Sequence, residues 1–236
     1  MSVRFRTLPI LAYHRVGEPK GDHVPTVTPE TFEWQLHFLQ RRRFQVIGLG
    51  QLVEQRLREA SDQRRRLVIT FDDGYAETFS VAAPLLRRFG FCATVFVTPA
   101  EVGLPGFMTW EQLRAVTQDG MMIGSHTMHH TYLPLISRDK VEYELVESKR
   151  TLEQRLGRPI TWLSYPVGGY TPEVQAVAKT AGYQGACTTN RGVSKRADDL
   201  FALRRIKITE RDRNPVAFWV KLSGYYDLFR RLESPA

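Results

Sequence analysis

A chain of 236 residues, 42% hydrophobic and 25% charged, has the balance of a soluble globular fold, with length for one core and a pocket. No run reaches the roughly 18 apolar residues of a membrane helix, which excludes a helical span. The net charge is +8, with arginine runs at Arg41–Arg43 and Arg64–Arg66. No aromatic residues interleave with these runs, so they read as solvated loop and helix-end positions and no nucleic-acid partner is expected.

The basic N-terminus Met1–Arg6 leads into a short apolar run, Leu8–Tyr13, followed by His14-Arg15. A signal peptide would need a longer apolar core and small residues at the cleavage site. The expected compartment is therefore the cytoplasm, or outside it if a targeting segment is missing from this chain. Thr7–Tyr13 reads as a strand. Thr28-Pro29-Glu30 opens a helix with a cap, a first-turn proline and an early acid, and Phe32, Leu36 and Leu39 share its face. A short strand at Phe44–Ile47 precedes a helix around Leu52–Glu59. Leu67–Phe71 is continuous, apolar and β-branched, as a strand buried on both faces requires. Ala76–Phe89 is helical, with Pro84 forcing a kink or restart and Gly90 closing it. Cys92–Val97 is the next strand.

Thr109-Trp110-Glu111-Gln112 has the form of a capping box, and its helix ends near Gly120. Met121–Gly124 is a strand, and Ser137 caps a long helix carrying Val141, Leu145, Leu152 and Leu156. Thr161–Tyr165 is a strand, Thr171-Pro172-Glu173 starts a helix closed near Gly182, and Gln184–Thr188 and Leu203–Ile208 are strands. Asn214-Pro215 opens the last helix. Strands separated by helices imply parallel pairing with crossovers. About seven such units predict an α/β fold, a distorted (β/α)7-type barrel, with residues 1–236 as a single domain. In such barrels the residues after each strand's C-terminal end form the active site.

Four motifs fall at those strand ends. In Thr70-Phe71-Asp72-Asp73-Gly74-Tyr75, two carboxylates end a buried strand, and Gly74 lets the chain bend so that both reach one site. Adjacent carboxylates repel unless a cation sits between them or one is protonated. In Gly124-Ser125-His126-Thr127-Met128-His129-His130, three of the six histidines fall within five residues. Histidines four apart on a helical turn face one side and can share a metal, and a carboxylate with two imidazoles leaves a position for water. Ser164-Tyr165-Pro166-Val167-Gly168-Gly169-Tyr170 is a Pro/Gly turn whose amides can stabilise an oxyanion. In Leu11-Ala12-Tyr13-His14-Arg15-Val16, His14 ends the first strand, where a general acid is plausible. Cys92 and Cys187 show neither metal nor redox spacing and read as core thiols.

From about Leu8 to Ile208 these motifs resemble the polysaccharide deacetylase family, the family 4 carbohydrate esterases built on the chitooligosaccharide-deacetylase homology domain. The resemblance implies a distorted β/α barrel, a divalent metal, usually zinc, and removal of acetyl groups from sugars. It makes Asp72 the catalytic base and Asp73, His126 and His130 the metal ligands, with family spacing selecting His130 over His129. Tyr165, Pro166, Val167 and Gly168 match the substrate-side turn, the Val167 amide holding the oxyanion. Three departures stand out: Ser164 replaces an arginine that orients the base, Val167 replaces a tyrosine, and no histidine follows position 130. These features, with Leu-x-Tyr-His near the N-terminus, look like the subgroup acting on poly-N-acetylglucosamine. There His14 serves as acid, and Arg205 resembles a late arginine that replaces the missing orienting residue. The implied partner is an acetylated sugar, in a polymer or oligomer. The alternatives are a sugar-binding barrel with impaired catalysis and a deacetylase of a small or lipid-linked sugar.

Overall fold

The computed structural model describes residues 7–51, 65–191, 194–195 and 199–223; the helix expected around Leu52–Glu59 lies outside them, as does Arg64. Seven parallel strands close a ring in chain order: β1 (Ile10–Tyr13), β2 (Arg66–Phe71), β3 (Thr94–Val97), β4 (Met122–Ser125), β5 (Trp162–Ser164), β6 (Gly185–Arg191) and β7 (Leu203–Lys207). The ring is closed by β7 pairing with β1 at Ile206↔Leu11 and β1 with β2 at Ile10↔Val68 through Tyr13↔Phe71. Each expected strand is present with its ends moved by up to a few residues: β2 begins at Arg66, β6 runs on to Arg191, and Thr7–Leu8 leaves β1 to pair with Ser194–Lys195, while Gln45–Val46 pairs as a short parallel addition to β2. No helix among the described residues is long and apolar enough to cross a membrane.

The helices begin where capping chemistry places them. In α1 (Pro29–Arg41), Thr28 Oγ1 accepts from the Thr31 amide, and Phe32, Leu36 and Leu39 are buried. Between β2 and β3, α2 (Ala83–Phe89) follows a π-turn at Thr78–Ala82 and ends at left-handed Gly90. Pro84 cannot donate back into the preceding turn, so the ladder widens there rather than breaking. The capping box of α3 (Trp110–Gln118) forms as expected, with Thr109 and Gln112 bonding each other's main chain. Ser137 occupies the cap position of α4 (Arg138–Leu156), but its side chain makes no capping hydrogen bond. Thr171 caps α5 (Pro172–Thr180), and Asn214 accepts from two amides at the start of α6 (Pro215–Ser223).

Strand alternation sorts the side chains into an inner cluster and an outer one packed against the helices. Ile10, Val68, Phe96, Trp162, Cys187 and Leu203 pack with Ile47 and Leu49 into one apolar cluster. The other strand faces, including Leu11, Ile69, Val95, Ile123 and Ile206, join the larger core shared with the helices. Gly124 makes room inside the ring, since a Cβ there would lie 2.6 Å from the Phe96 ring. Two residues beyond the apolar layer, the same inward register carries Thr70 and then Asp72 from β2, Ser164 from β5 and Arg205 from β7. The inner layer thus turns polar at the strands' C-terminal end.

Candidate active site

Asp72 follows β2, and its amide donates to the Tyr13 carbonyl at 2.9 Å. Its carboxylate is met end-on by Arg205: Nη1 donates to Oδ1 and Nη2 to Oδ2, both at 2.7 Å, and both residues are 1% exposed. Arg205 spends its remaining donors on the Ser164 hydroxyl (2.9 Å), the Thr70 hydroxyl (3.2 Å) and the Thr188 carbonyl (3.3 Å). Burial would raise the Asp72 pKa, but the Arg205 charge, then that of His126, outweighs it and holds the carboxyl below its usual range. Asp72 is therefore ionised at neutral pH.

Asp73 turns the other way in the left-handed region (φ 72), followed by Gly74 (φ 82). Its Oδ1 lies 3.4 Å from Nε2 of both His126 and His130. Burial would raise its pKa, but the two imidazoles beside it outweigh that and hold the carboxyl far below its usual range. His126 Nδ1 donates to the Ser164 carbonyl at 2.7 Å, which directs its Nε2 at Asp73. Among the described residues, Asp73, His126 and His130 are the trio whose donor atoms converge, all within 4.8 Å of one another. Tetrahedral zinc with arms of about 2.0–2.1 Å sets ligand atoms roughly 3.3 Å apart, so the observed spacing and the carboxylate–imidazole donor set fit a divalent cation.

His129 belongs elsewhere: its Nδ1 bonds Glu144 at 2.8 Å and its ring stacks on Tyr143. The segment from His126 to His130 is not the helical turn that spacing suggested but an irregular loop, with Thr127 (φ 66) and His130 (φ 56) left-handed. The shared side arises from these two reversals rather than from helical periodicity. Of the five non-glycine residues with positive φ among the described residues, four lie in the motifs of this site: Asp73, Thr127, His130 and Val167. Backbone strain of this kind persists where the surroundings enforce it, and it gathers at functional sites.

His14 sits after β1 with a buried Nδ1 that has no partner. Burial lowers its pKa, and the Asp72 and Asp73 charges oppose that shift. In the turn after β5, Tyr165 packs inward, its hydroxyl on the Phe201 carbonyl and its ring stacked on Tyr170, while Pro166 and Gly168 are buried. Val167 (φ 55) is 68% exposed. Gly169 brings this turn against the histidine loop, since a Cβ there would lie 2.2 Å from the Tyr132 ring. Three residues to which the sequence reading gave no role lie around the triad. Burial, then the nearby Asp73 charge, raises the Tyr75 pKa. Glu101, raised by burial and then by Asp73, lies within electrostatic reach of both His126 and His130. Glu144 anchors the histidine loop. Tyr75 closes the Asp-Asp-Gly motif but was given no role there; Glu101, after β3, and Glu144, on α4, belong to no motif.

A seven-stranded parallel β/α barrel with these residues at its C-terminal mouth has the form of the hydrolytic deacetylases. The polysaccharide deacetylase model matches residues 59–186. YxkH of Bacillus subtilis is 30% identical over 202 residues, 86% of this chain and 71% of that protein. The peptidoglycan-N-acetylglucosamine deacetylase of Bacillus cereus is 33% identical over 128 residues, 53% of this chain and 57% of that protein. The Streptococcus pyogenes deacetylase PplD, solved in complex with acetate, superposes with a TM-score of 0.85 at 25% identity, covering 92% of this chain and 98% of its own. The chain belongs to the polysaccharide deacetylase family.

Proposed function

We propose that this protein is a divalent-metal-dependent deacetylase that removes acetyl groups from N-acetylated sugars in a polysaccharide or oligosaccharide. The observation that carries this reading is the converging Asp73–His126–His130 trio beside an ionised Asp72 held by Arg205. Asp73, His126 and His130 would hold the ion, for which zinc suits the donor set. Such an ion supplies Lewis acidity toward the acetyl carbonyl and acidifies water. Asp72, kept ionised and oriented, takes the proton of the attacking water. The Val167 amide has no hydrogen-bond acceptor among the described residues and is available to the acetyl oxygen as charge develops there. His14 delivers a proton to the departing nitrogen.

The sugar follows from the family and from the name of the Bacillus cereus relative, which acts on N-acetylglucosamine in peptidoglycan. A barrel that only binds sugar was suggested by Ser164 at the usual arginine position; Arg205, bonded to both Ser164 and Asp72, removes that argument. The test is acetate release from N-acetylglucosamine oligomers of different linkage, by zinc-loaded, chelator-stripped and re-loaded protein. Release that falls more than tenfold on stripping and returns on re-loading is expected. Zinc-loaded protein that binds oligomers and frees no acetate overturns the reading in favour of a binding barrel. Release unaffected by stripping removes the metal from it.

A further inference from the structure

The two histidines of the trio are held in different ways. The His126 ring is fastened directly, through Nδ1, to the Ser164 carbonyl, and is 3% exposed. The His130 ring is 36% exposed, and among the described residues no acceptor meets its Nδ1. Its aim therefore depends on its backbone, which holds a left-handed conformation that L side chains avoid.

That backbone is gripped on both sides by one carboxylate. Glu144, on α4 and 6% exposed, accepts from the His129 amide at 2.9 Å (Oε2), from His129 Nδ1 at 2.8 Å and from the Thr131 hydroxyl at 3.1 Å (both Oε1). The loop's other main-chain fastenings are neutral, among them the His126 amide to the Val97 carbonyl, the Thr127 amide to Ser125 Oγ, the Ala100 amide to the Met128 carbonyl, the Thr131 amide to Thr127 Oγ1, and Thr98 Oγ1 to the His126 carbonyl. Hydrogen bonds to an ionised acceptor are about twice as strong as neutral ones. A buried carboxylate with its oxygens satisfied by three donors is a rigid anchor, and α4 is a long helix to fix it on.

We infer that Glu144 is a positioning residue for metal binding: by clamping residues 129 and 131 it presents His130 to the ion, as the Ser164 carbonyl presents His126. This rests on the reading of the trio as a divalent-cation site. It also gives His129 a role, as a donor within the clamp rather than a ligand.

The experiment is a zinc affinity measurement by competition with a chromophoric chelator, on wild type, Glu144→Gln, Glu144→Ala and His129→Ala. Loss of a residue that orients a ligand typically weakens metal affinity about 10–100-fold. That range is expected for both Glu144 variants, with kcat recovering at saturating zinc and faster amide exchange at residues 127–131 of the metal-free protein. His129→Ala removes one of the three donors but keeps the main-chain one, so its zinc affinity should fall less than that of the Glu144 variants. If Glu144→Ala does not fold, the isosteric Glu144→Gln decides. A folded Glu144→Gln that binds zinc as wild type does overturns the clamp alone. A wild-type chain that takes up no zinc overturns the metal reading and the clamp with it.

Discussion

Replacing Arg205 by methionine strands a buried carboxylate. Arg205 gives Asp72 two bonds of 2.7 Å in a site where both side chains are within 2% of full burial. Removing one member of such a pair costs about 3–5 kcal/mol, because the charge left behind keeps its desolvation penalty. For a chain of this size each kcal/mol shifts Tm by about 2–4 °C, so a fall of roughly 6–20 °C is expected. Adding Asp72→Asn to the Arg205→Met background should raise Tm again, since it removes the stranded charge. The pH dependence carries a sign. In the wild type the Asp72 carboxyl is held low, so its stabilisation is present above the unfolded pKa of about 3.9 and lost as pH falls through the folded value. Without Arg205 burial dominates, the folded pKa rises above the unfolded one, and the ionised carboxylate destabilises. The Tm gap between wild type and variant is therefore widest near neutrality and narrows toward about pH 4. Calorimetry on metal-free protein reads both effects. A single variant within about 2 °C of wild type at neutral pH, or a double variant less stable than the single, refutes the reasoning.

Asp72→Asn should bind zinc normally and lose roughly 10²-fold or more in kcat, the usual contribution of a general base; a metal-loaded variant with wild-type turnover removes Asp72 from that role. His14→Ala should retain metal and lose most of kcat on amide substrates, while activated acetate esters, whose phenolate leaves without a proton, suffer less; an equal loss on both substrate types, or none, rules His14 out as the acid.

Much of the site was legible because it is contiguous. Asp72 and Asp73 end a β-branched strand, His126 and His130 lie within one short motif, and the barrel rule puts both motifs on the same rim. The helix starts were legible for the same local reason, through caps at Thr28, Thr109 and Thr171. What stayed hidden depends on chain folding over distance. Glu144 reads as one acid among several on a charged helix, and only the packing of α4 brings it to a loop 13–15 residues earlier. The geometry of that loop was misread, because spacing alone cannot tell a helical turn from a loop with two left-handed residues. Glu101 was hidden likewise, and Tyr75, although it closes the Asp-Asp-Gly motif, was given no role because nothing in the sequence shows that it packs beside Asp73.

The approach of Arg205 to Asp72 follows from the barrel's layering. Leu203 and Arg205 alternate inward on β7 as Trp162 and Ser164 do on β5, so both positions feed the same polar layer. Strand β7 adjoins β1, which adjoins β2, whereas β5 is separated from β2 by two strands. An arginine on β7 therefore approaches Asp72 from the shorter way around the ring, and a small residue at 164 leaves room for its Nη2 while accepting a hydrogen bond from it. Two buried charges repay their desolvation only when the rest of their hydrogen-bonding capacity is also met. Ser164, Thr70 and the Thr188 carbonyl meet it here. Ser164 is thus a partner of the Arg205 guanidinium, and its carbonyl also orients His126. One residue on β5 holds both halves of the site in register, the Asp72–Arg205 pair through its hydroxyl and the ligand trio through its main chain.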